Sequence, residues 1–225
     1  MKKTTLPGAA LAVAVLLSAA GPAAADDLRD QPLGEIQQMA DAGRADAQRE
    51  LGIRYGQGTG VAQDYFTARS WASKAAAQGD AWAMRIMGLI YLNGLGVDAD
   101  RYRAFDYFKR AANAGEMNAQ YNLAVMYYDG DIQAKDYGKA LDWYKRAAEQ
   151  GNAKAQHNLG LMLAQGVGTP TDKVEAYKWF ELSGSEDAIA ATSEMQSIVP
   201  RMTKTEVAEA QRRAEEWHPQ MEWLP

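Results

Sequence analysis

The amino-acid sequence predicts an all-α protein, a right-handed α-α superhelical solenoid of helix–turn–helix repeats with terminal capping helices. Three observations predict this fold class: an internal period of 36 residues, apolar spacing that fits two helices per period, and glycine or aspartate at the expected helix boundaries. A period of about 20–50 residues indicates stacked, similar structural repeats. Each repeat has an apolar face that only its neighbours bury, which is the physical basis of a solenoid.

The repeat is visible as columns of matching residues. Each column holds four positions spaced by 36 residues, and most columns keep one residue type. The columns are Ala47, Ala83, Ala119 and Ala155; Leu51, Met87, Leu123 and Leu159; Tyr55, Tyr91, Tyr127 and Leu163; Gly58, Gly94, Gly130 and Gly166; Asp64, Asp100, Asp136 and Asp172; Ala68, Ala104, Ala140 and Ala176; and Trp71, Tyr107, Trp143 and Trp179. Chance does not produce so many columns at one fixed period.

Within one repeat the spacing predicts two helices. The first places its apolar residues on one face, because residues three or four apart stack on the same side: Ala119, Leu123, Ala124 and Tyr127. Gly130 is expected to end this helix in the left-handed conformation. Asp136 is expected to accept hydrogen bonds from the first amides of the second helix. The second helix, ended by Gly151, is predicted to bury a stripe that contains Ala140, Trp143, Ala147 and Ala148.

Glycine also occurs inside three of the first helices, at Gly52, Gly88 and Gly160. An interior glycine costs a helix about 1 kcal/mol relative to alanine. A column that accepts this cost, or holds Ala124 in the third repeat, is predicted to need a small residue for close contact between helices.

The start of the chain predicts a cleaved signal peptide over residues 1–25. Lys2 and Lys3 precede an apolar run at 9–20, and the alanines at 23–25 form a cleavage pattern before Asp26. The run is too short to span a bilayer. We therefore expect a periplasmic protein, with secretion as the lesser option, and no membrane insertion of the mature chain.

The remaining chain divides into three predicted segments. Residues 26–45 contain a lead and an N-terminal capping helix, residues 46–184 hold the four repeats, and 185–225 hold a degenerate fifth repeat and a C-terminal capping helix. Pro200 is expected to stop the helix of the fifth repeat. Thr203 and Glu206 have the spacing of a capping box that opens the last helix.

The columns resemble the Sel-one-like repeat, a subclass of the tetratricopeptide-like solenoids. Its pattern is A-x3-L-G-x2-Y-x2-G-x-G, followed by D-x3-A-x2-W/Y-x3-A-A-x2-G, and the second repeat matches it with Met87 in place of leucine. The sequence is similar to exported bacterial members of this family. The resemblance implies that the first helices line a concave face and that the protein is an adaptor or regulator in the cell envelope.

Several kinds of chemistry have little support in the sequence. The formal charge of −5 argues against a nucleic-acid partner. There is no cysteine, the two histidines are far apart, and no H-E-x-x-H or S-x-x-K motif occurs. The glycines at 56, 58 and 60 are interpreted as a turn rather than a phosphate loop, and the aspartates at 98 and 100 lack a calcium-loop pattern. We predict no enzyme activity and no catalytic, cofactor-binding or metal-binding residue.

The predicted site is therefore a protein-binding surface on the first helices. Its candidates are residue types enriched in binding hot spots or able to hold a carboxylate: Arg49, Trp82, Arg85, Tyr121, Tyr128, Lys154 and His157. The predicted partner is an acidic or extended segment of a protein. Three alternatives remain open: these residues are ordinary solvated side chains or contacts between repeats, the protein is a cell-wall hydrolase, or it is a self-associating structural module.

Overall fold

The computed structural model describes residues 28–130, 132, 134–184 and 188–220, and of residues 188–192 only the backbone. All regular secondary structure in this part of the chain is helical, which confirms the predicted all-α class. The predicted signal peptide, residues 1–25, lies outside the described residues. The chain divides after residue 100 into two compact units, which are described in turn.

The first unit contains four α-helices: α1 (Leu33–Asp41), α2 (Ala45–Gln57), α3 (Tyr65–Ala77) and α4 (Ala81–Asn93), preceded by a 3-10 turn at Leu28–Asp30. Each helix packs against the next one along the chain. In α1, Ile36 and Ala40 are buried in one apolar cluster with Leu28 and Leu51. This helix therefore covers the apolar face at the start of the repeats.

The second unit contains seven α-helices within the described residues: α5 (Arg101–Asn113), α6 (Met117–Asp129), α7 (Tyr137–Glu149), α8 (Ala153–Gln165), α9 (Lys173–Ser183), α10 (Ala188–Ile198) and α11 (Lys204–Glu215). Consecutive helices pack together from α5 to α10, and α11 packs on α9. A 3-10 turn, Val199–Arg201, follows α10 at the predicted proline stop. On α11, Ala210 and Ala214 are buried, and the capping box of Thr203 with Glu206 is present as predicted.

The predicted helix boundaries are confirmed where the structure describes them. The glycines that end the first helices all have left-handed φ values, between 66° and 75°: Gly58, Gly94, Gly130 and Gly166. Three of the predicted aspartates accept a backbone N–H bond three residues later: Asp64 (3.2 Å), Asp136 (2.9 Å) and Asp172 (3.0 Å). These boundaries were predictable because each depends on a local contact.

The glycines inside the first helices make the predicted close contacts at two positions. A Cβ atom on Gly52 would lie 3.2 Å from the backbone nitrogen of Ala72. A Cβ atom on Gly160 would lie 2.7 Å from Cε1 of Phe180, a fully buried ring. The absence of a side chain therefore lets the two helices of a hairpin approach closely.

The predicted burial of the aromatic column was wrong for Tyr107 and Trp143, whereas Trp71 packs against the apolar cluster of the first unit. These rings are half-buried, and each has a basic group three residues later over its face: Lys74 at 3.8 Å, Arg110 at 5.4 Å and Arg146 at 4.8 Å. The fully buried positions come one residue later: Ala72, Phe108, Tyr144 and Phe180. One residue is about 100° around a helix, so the neighbouring position points into the core.

A column of buried glutamines joins successive hairpins and was not predicted. Gln48, Gln120 and Gln156 each donate a side-chain bond to the end of the preceding second helix, to Ala40 O (3.0 Å), Ala112 O (3.4 Å) and Ala148 O (3.1 Å) respectively. Two of them also accept from a glutamine that follows the second helix, Gln78 to Gln48 and Gln150 to Gln120, both at 2.8 Å. In the second repeat the positions that correspond to Gln48 and Gln78 hold Met84 and Ala114, so both glutamines of the pair are replaced by apolar residues.

Candidate functional site

In the first unit, Arg49, Asp80, Trp82 and Arg85 form one cluster, here called the arginine–tryptophan patch. Arg49 lies on α2, and Asp80 is the residue before α4. Nη1 of Arg49 donates to Oδ2 of Asp80 at 2.5 Å, and Oδ1 of Asp80 accepts from the backbone N–H of Ala83 at 2.8 Å. One carboxylate therefore holds both the start of α4 and the guanidinium of the preceding first helix.

The indole of Trp82 lies close to two guanidinium groups. The ring centroid is 5.7 Å from Cζ of Arg49 and 5.6 Å from Cζ of Arg85, within the range of cation–π attraction. Arg49 keeps 27% of its side chain exposed and Trp82 is half-buried, whereas Arg85 is only 3% exposed. Trp82 and Arg49 are thus the accessible part of the patch, and Arg85 supports the ring from below the surface.

In the second unit, four tyrosines form two edge-on or tilted pairs, here called the tyrosine cluster. Tyr128 meets Tyr137 at 5.1 Å and 62°, and Tyr121 meets Tyr144 at 5.9 Å and 53°. The ammonium group of Lys135 lies 5.9 Å from the rings of both Tyr128 and Tyr137. The predicted residues Tyr121 and Tyr128 are therefore each half-buried beside a tyrosine of α7.

The hydroxyl groups of Tyr128 and Tyr144 stay protonated at neutral pH. Burial, followed by the neighbouring Tyr137, raises the pKa of Tyr128 above its ordinary value of 10. Burial, followed by Tyr121, raises the pKa of the Tyr144 hydroxyl further. A protonated phenol donates a hydrogen bond, so the half-buried Tyr128 offers an aromatic face together with a neutral donor.

Lys154 and His157 lie three residues apart on α8, on the same side of the helix. Both are half-buried, and the imidazole of His157 is 5.7 Å from the buried ring of Phe180, tilted by 57°. His157 therefore also packs against its own hairpin partner, α9. The assignment of these two residues to a binding surface stays a prediction.

The sequence analysis missed the column of residues that cap the first helices, which contains Asp80. Asp80, Glu116 and Asn152 are spaced by 36 residues, and each accepts a hydrogen bond from the amide three residues later. The signal was present, since all three are hydrogen-bond acceptors immediately before an apolar helix. What the pattern could not indicate is that Asp80 also binds Arg49 of the preceding first helix.

Two findings on metal binding and membrane crossing apply to the part of the chain that the structure describes. No group of three or more His, Asp or Glu side chains there is arranged to hold a metal ion. None of the described helices combines the length and the apolar character that crossing a bilayer requires.

The helical hairpins with their repeated caps, glycine contacts and glutamine links define an α-α solenoid repeat protein. The family model of the Sel1 repeat matches residues 45–80, 83–116, 118–152 and 153–187, which is more than half of the chain. The chain therefore belongs to the Sel1 repeat family. Sel1 repeats are generally protein–protein interaction modules, and the family is one of non-enzymatic scaffolds.

Two solved structures are similar to the chain, each at 32% sequence identity over 82% of its residues. One is a protective antigen of uropathogenic Escherichia coli with an SLR fold, with a TM-score of 0.73. The other is a Sel1 repeat protein from Oxalobacter formigenes, with a TM-score of 0.70 and 75% of that chain covered. The match spans only 40% of the length of the antigen. No functionally curated protein matches the chain.

Proposed function

We propose that this protein is a non-catalytic adaptor or regulator in the bacterial cell envelope that binds an extended, acidic segment of a partner protein. The partner contacts the first helices, which line the concave face in solenoids of this class. The observation that carries the proposal is the arginine–tryptophan patch, in which the half-buried Trp82 lies beside the partly exposed side chain of Arg49.

The patch has the chemistry of a binding hot spot for a carboxylate-bearing peptide. Tryptophan and arginine are the residues that most often dominate binding energy at protein interfaces. The salt bridge to Asp80 engages Nη1 of the partly exposed Arg49, and a guanidinium has further N–H donors that can bind a carboxylate of the partner. Because Asp80 and the indole already hold the guanidinium, binding loses less side-chain entropy than it would at a mobile arginine.

The tyrosine cluster supports the same function for the second unit. Tyrosine offers a rigid aromatic surface and a hydrogen-bond donor at low entropic cost, which suits the recognition of an extended chain. The ammonium group of Lys135 beside Tyr128 adds a positive charge next to these donors. Both patches combine aromatic rings with basic groups. This combination favours a partner segment with acidic side chains over a purely apolar helix.

The envelope location rests on the amino-terminal pattern of two lysines, an apolar run and an alanine cleavage pattern. Export is tested by expressing the full chain in a bacterial host and determining the amino-terminal residue of the product in the periplasmic fraction. A product that begins at Asp26 in that fraction supports the proposal. A full-length product retained in the cytoplasm contradicts the location and leaves the binding function to be tested separately.

Partner binding is tested by crosslinking and recovery of the tagged protein from a periplasmic extract, followed by mass spectrometry. The double variant Arg49→Glu with Trp82→Ala should reduce recovery of the specific partner at least tenfold, because it removes both accessible groups of the patch. The matched control is Arg69→Glu with Phe66→Ala on α3, where an arginine also lies 5.5 Å from an aromatic ring. Phe66 is 65% exposed, so the control changes the same chemistry on a second helix of the same unit.

Three outcomes separate the candidate functions. Loss of the partner in the patch variant but not in the control, with unchanged circular dichroism, supports the proposed site. Equal recovery by the two variants removes the patch from the function. Recovery of only this chain itself, together with a mass that rises with concentration in light scattering, indicates the self-associating module instead.

A further inference from the structure

The segment 217–220, which ends the described part of the second unit, has no regular secondary structure and contacts the hairpins of that unit. It follows α11 and lies against the turn after α7 and against α9. The backbone N–H of Gln220 donates to the carbonyl oxygen of Glu149 at 2.7 Å, which satisfies a carbonyl at the end of α7. The last carbonyls of a helix have no partner within the helix, so this bond is of the kind an added peptide can supply.

The side chains of the segment contact two features of the repeat. The indole of Trp217 meets Trp179 edge to face, with ring centroids 6.1 Å apart and an angle of 74°. Pro219 and Trp217 pack over the glycine turn, 3.8 Å and 3.9 Å from where a Cβ atom on Gly151 would lie. The contact therefore consists of an indole on the aromatic column, a proline on the turn and one main-chain bond.

The ring that Trp217 contacts is more buried than its counterparts in the aromatic column. Trp179 is only 3% exposed, whereas Trp143, at the same position of the preceding repeat, is half-buried. In the first unit, the equivalent turn at Gly79 has the same left-handed geometry, with φ of 93° against 95° at Gly151, and nothing lies within 4 Å of its Cβ position. The covered turn ends the third repeat, and its coverage is not a packing feature that every repeat shares.

We propose that Trp179, the Gly151 turn and the carbonyl of Glu149 form a second peptide site, occupied in this chain by residues 217–220. The external ligand that it fits is an extended partner segment with a tryptophan and, two residues later, a proline. The chain's own segment is then a built-in competitor that such a partner displaces. This site lies on second helices and uses none of the residues of the proposed first-helix surface, so either proposal can fail without the other.

The advantage of the built-in segment over an external peptide can be estimated from its effective concentration. A tethered segment acts on its site at an effective concentration of about millimolar. A short peptide in solution therefore binds only weakly while the built-in segment is in place. Weakening the built-in segment should reveal the site, because the surface that the segment covers is then accessible.

The test uses the synthetic peptide EWHPQ, identical to residues 216–220, and the full chain with Trp217→Ala. Binding is followed by chemical-shift changes in nuclear magnetic resonance titrations. We expect the peptide to bind the Trp217→Ala chain at least tenfold more tightly than the unmodified chain. Adding Trp179→Ala to this variant should remove the gain, and the peptide EAHPQ should bind neither protein.

The result that overturns the proposal is a Trp217→Ala chain with unchanged circular dichroism that binds EWHPQ no better than the unmodified chain does. Residues 217–220 would then serve only to close the end of the fold. Should Trp217→Ala disturb folding, hydrogen exchange of the Gln220 amide in the unmodified chain decides the question. A large excess of EWHPQ should accelerate that exchange, and an unchanged exchange rate contradicts the proposal.

Discussion

Glycine at position 168 permits a close backbone contact between two hairpins of the second unit, and its substitution tests how the repeats are packed. A Cβ atom on Gly168 would lie 2.7 Å from the carbonyl oxygen of Tyr137 and 2.9 Å from its carbonyl carbon. The corresponding contact exists in the first unit, where a Cβ atom on Gly96 would lie 3.0 Å from Cβ of Tyr65. The loop after a first helix therefore packs on the start of the preceding second helix in both units.

We predict that Gly168→Ala destabilises the protein by about 2–5 kcal/mol. The φ value of Gly168 is 74°, where alanine costs roughly 1–2 kcal/mol. Overpacking against the backbone of Tyr137 adds about 1–3 kcal/mol, since a backbone carbonyl cannot rotate away as a side chain can. The matched control is Gly60→Ala in the same repeat column, where φ is 72° and nothing lies within 4 Å of the Cβ position. The control should lose only the backbone contribution of roughly 1–2 kcal/mol.

The measurement is urea unfolding followed by far-ultraviolet circular dichroism, with hydrogen exchange to show which unit opens first. Both variants should lower the urea midpoint, with the larger shift and the faster exchange of α7 and α8 in Gly168→Ala. Equal shifts for the two variants would refute the reasoning, because the loop would then impose only a backbone conformation and no contact between hairpins.

Three further predictions concern the links and the cap of the second unit. Gln120→Met should lower the free energy of chemical unfolding by about 1 kcal/mol. Adding Gln150→Ala should recover part of the loss, because the two positions then hold the same residues as Met84 and Ala114 in the second repeat. Additive losses would contradict the link between Gln120 and Gln150. Thr203→Ala should cost about 1 kcal/mol and speed amide exchange in α11 before other helices, whereas uniform exchange would argue against a capping role. Hydrogen bonds from two arginines of α11 lower the pKa of Glu209 from 4.5 to about 2. The stabilisation by the Glu209 carboxylate is therefore present above about pH 4.5 and is lost as the pH falls towards 2. Glu209→Gln should flatten the acid part of the profile of thermal stability against pH, and an unchanged profile would exclude this contribution.

The candidate surface shows which features of a binding site residue type and spacing can predict. The sequence analysis selected Arg49, Trp82 and Arg85 among its binding candidates on the first helices, and the structure brings these three side chains together. Their spacing could not indicate that Arg85 is buried and Arg49 partly exposed, because exposure depends on the atoms that neighbouring helices place around each group. The contact of Arg49 with Asp80 was missed because the two residues are 31 positions apart in the chain and no local pattern links them.

The sequence by itself determined the helical hairpins, their length and their boundaries. The glycines with left-handed φ and the capping aspartates act through contacts within a few residues, so the chain's local chemistry specifies them, and the 36-residue period shows that the same hairpin recurs. Only the tertiary structure decided that Tyr144 rather than Trp143 fills the core, that glutamines join successive hairpins and that residues 217–220 cover Trp179. These outcomes depend on how residues distant in the chain meet, and a difference of one position around a helix is enough to reverse which side chain is buried.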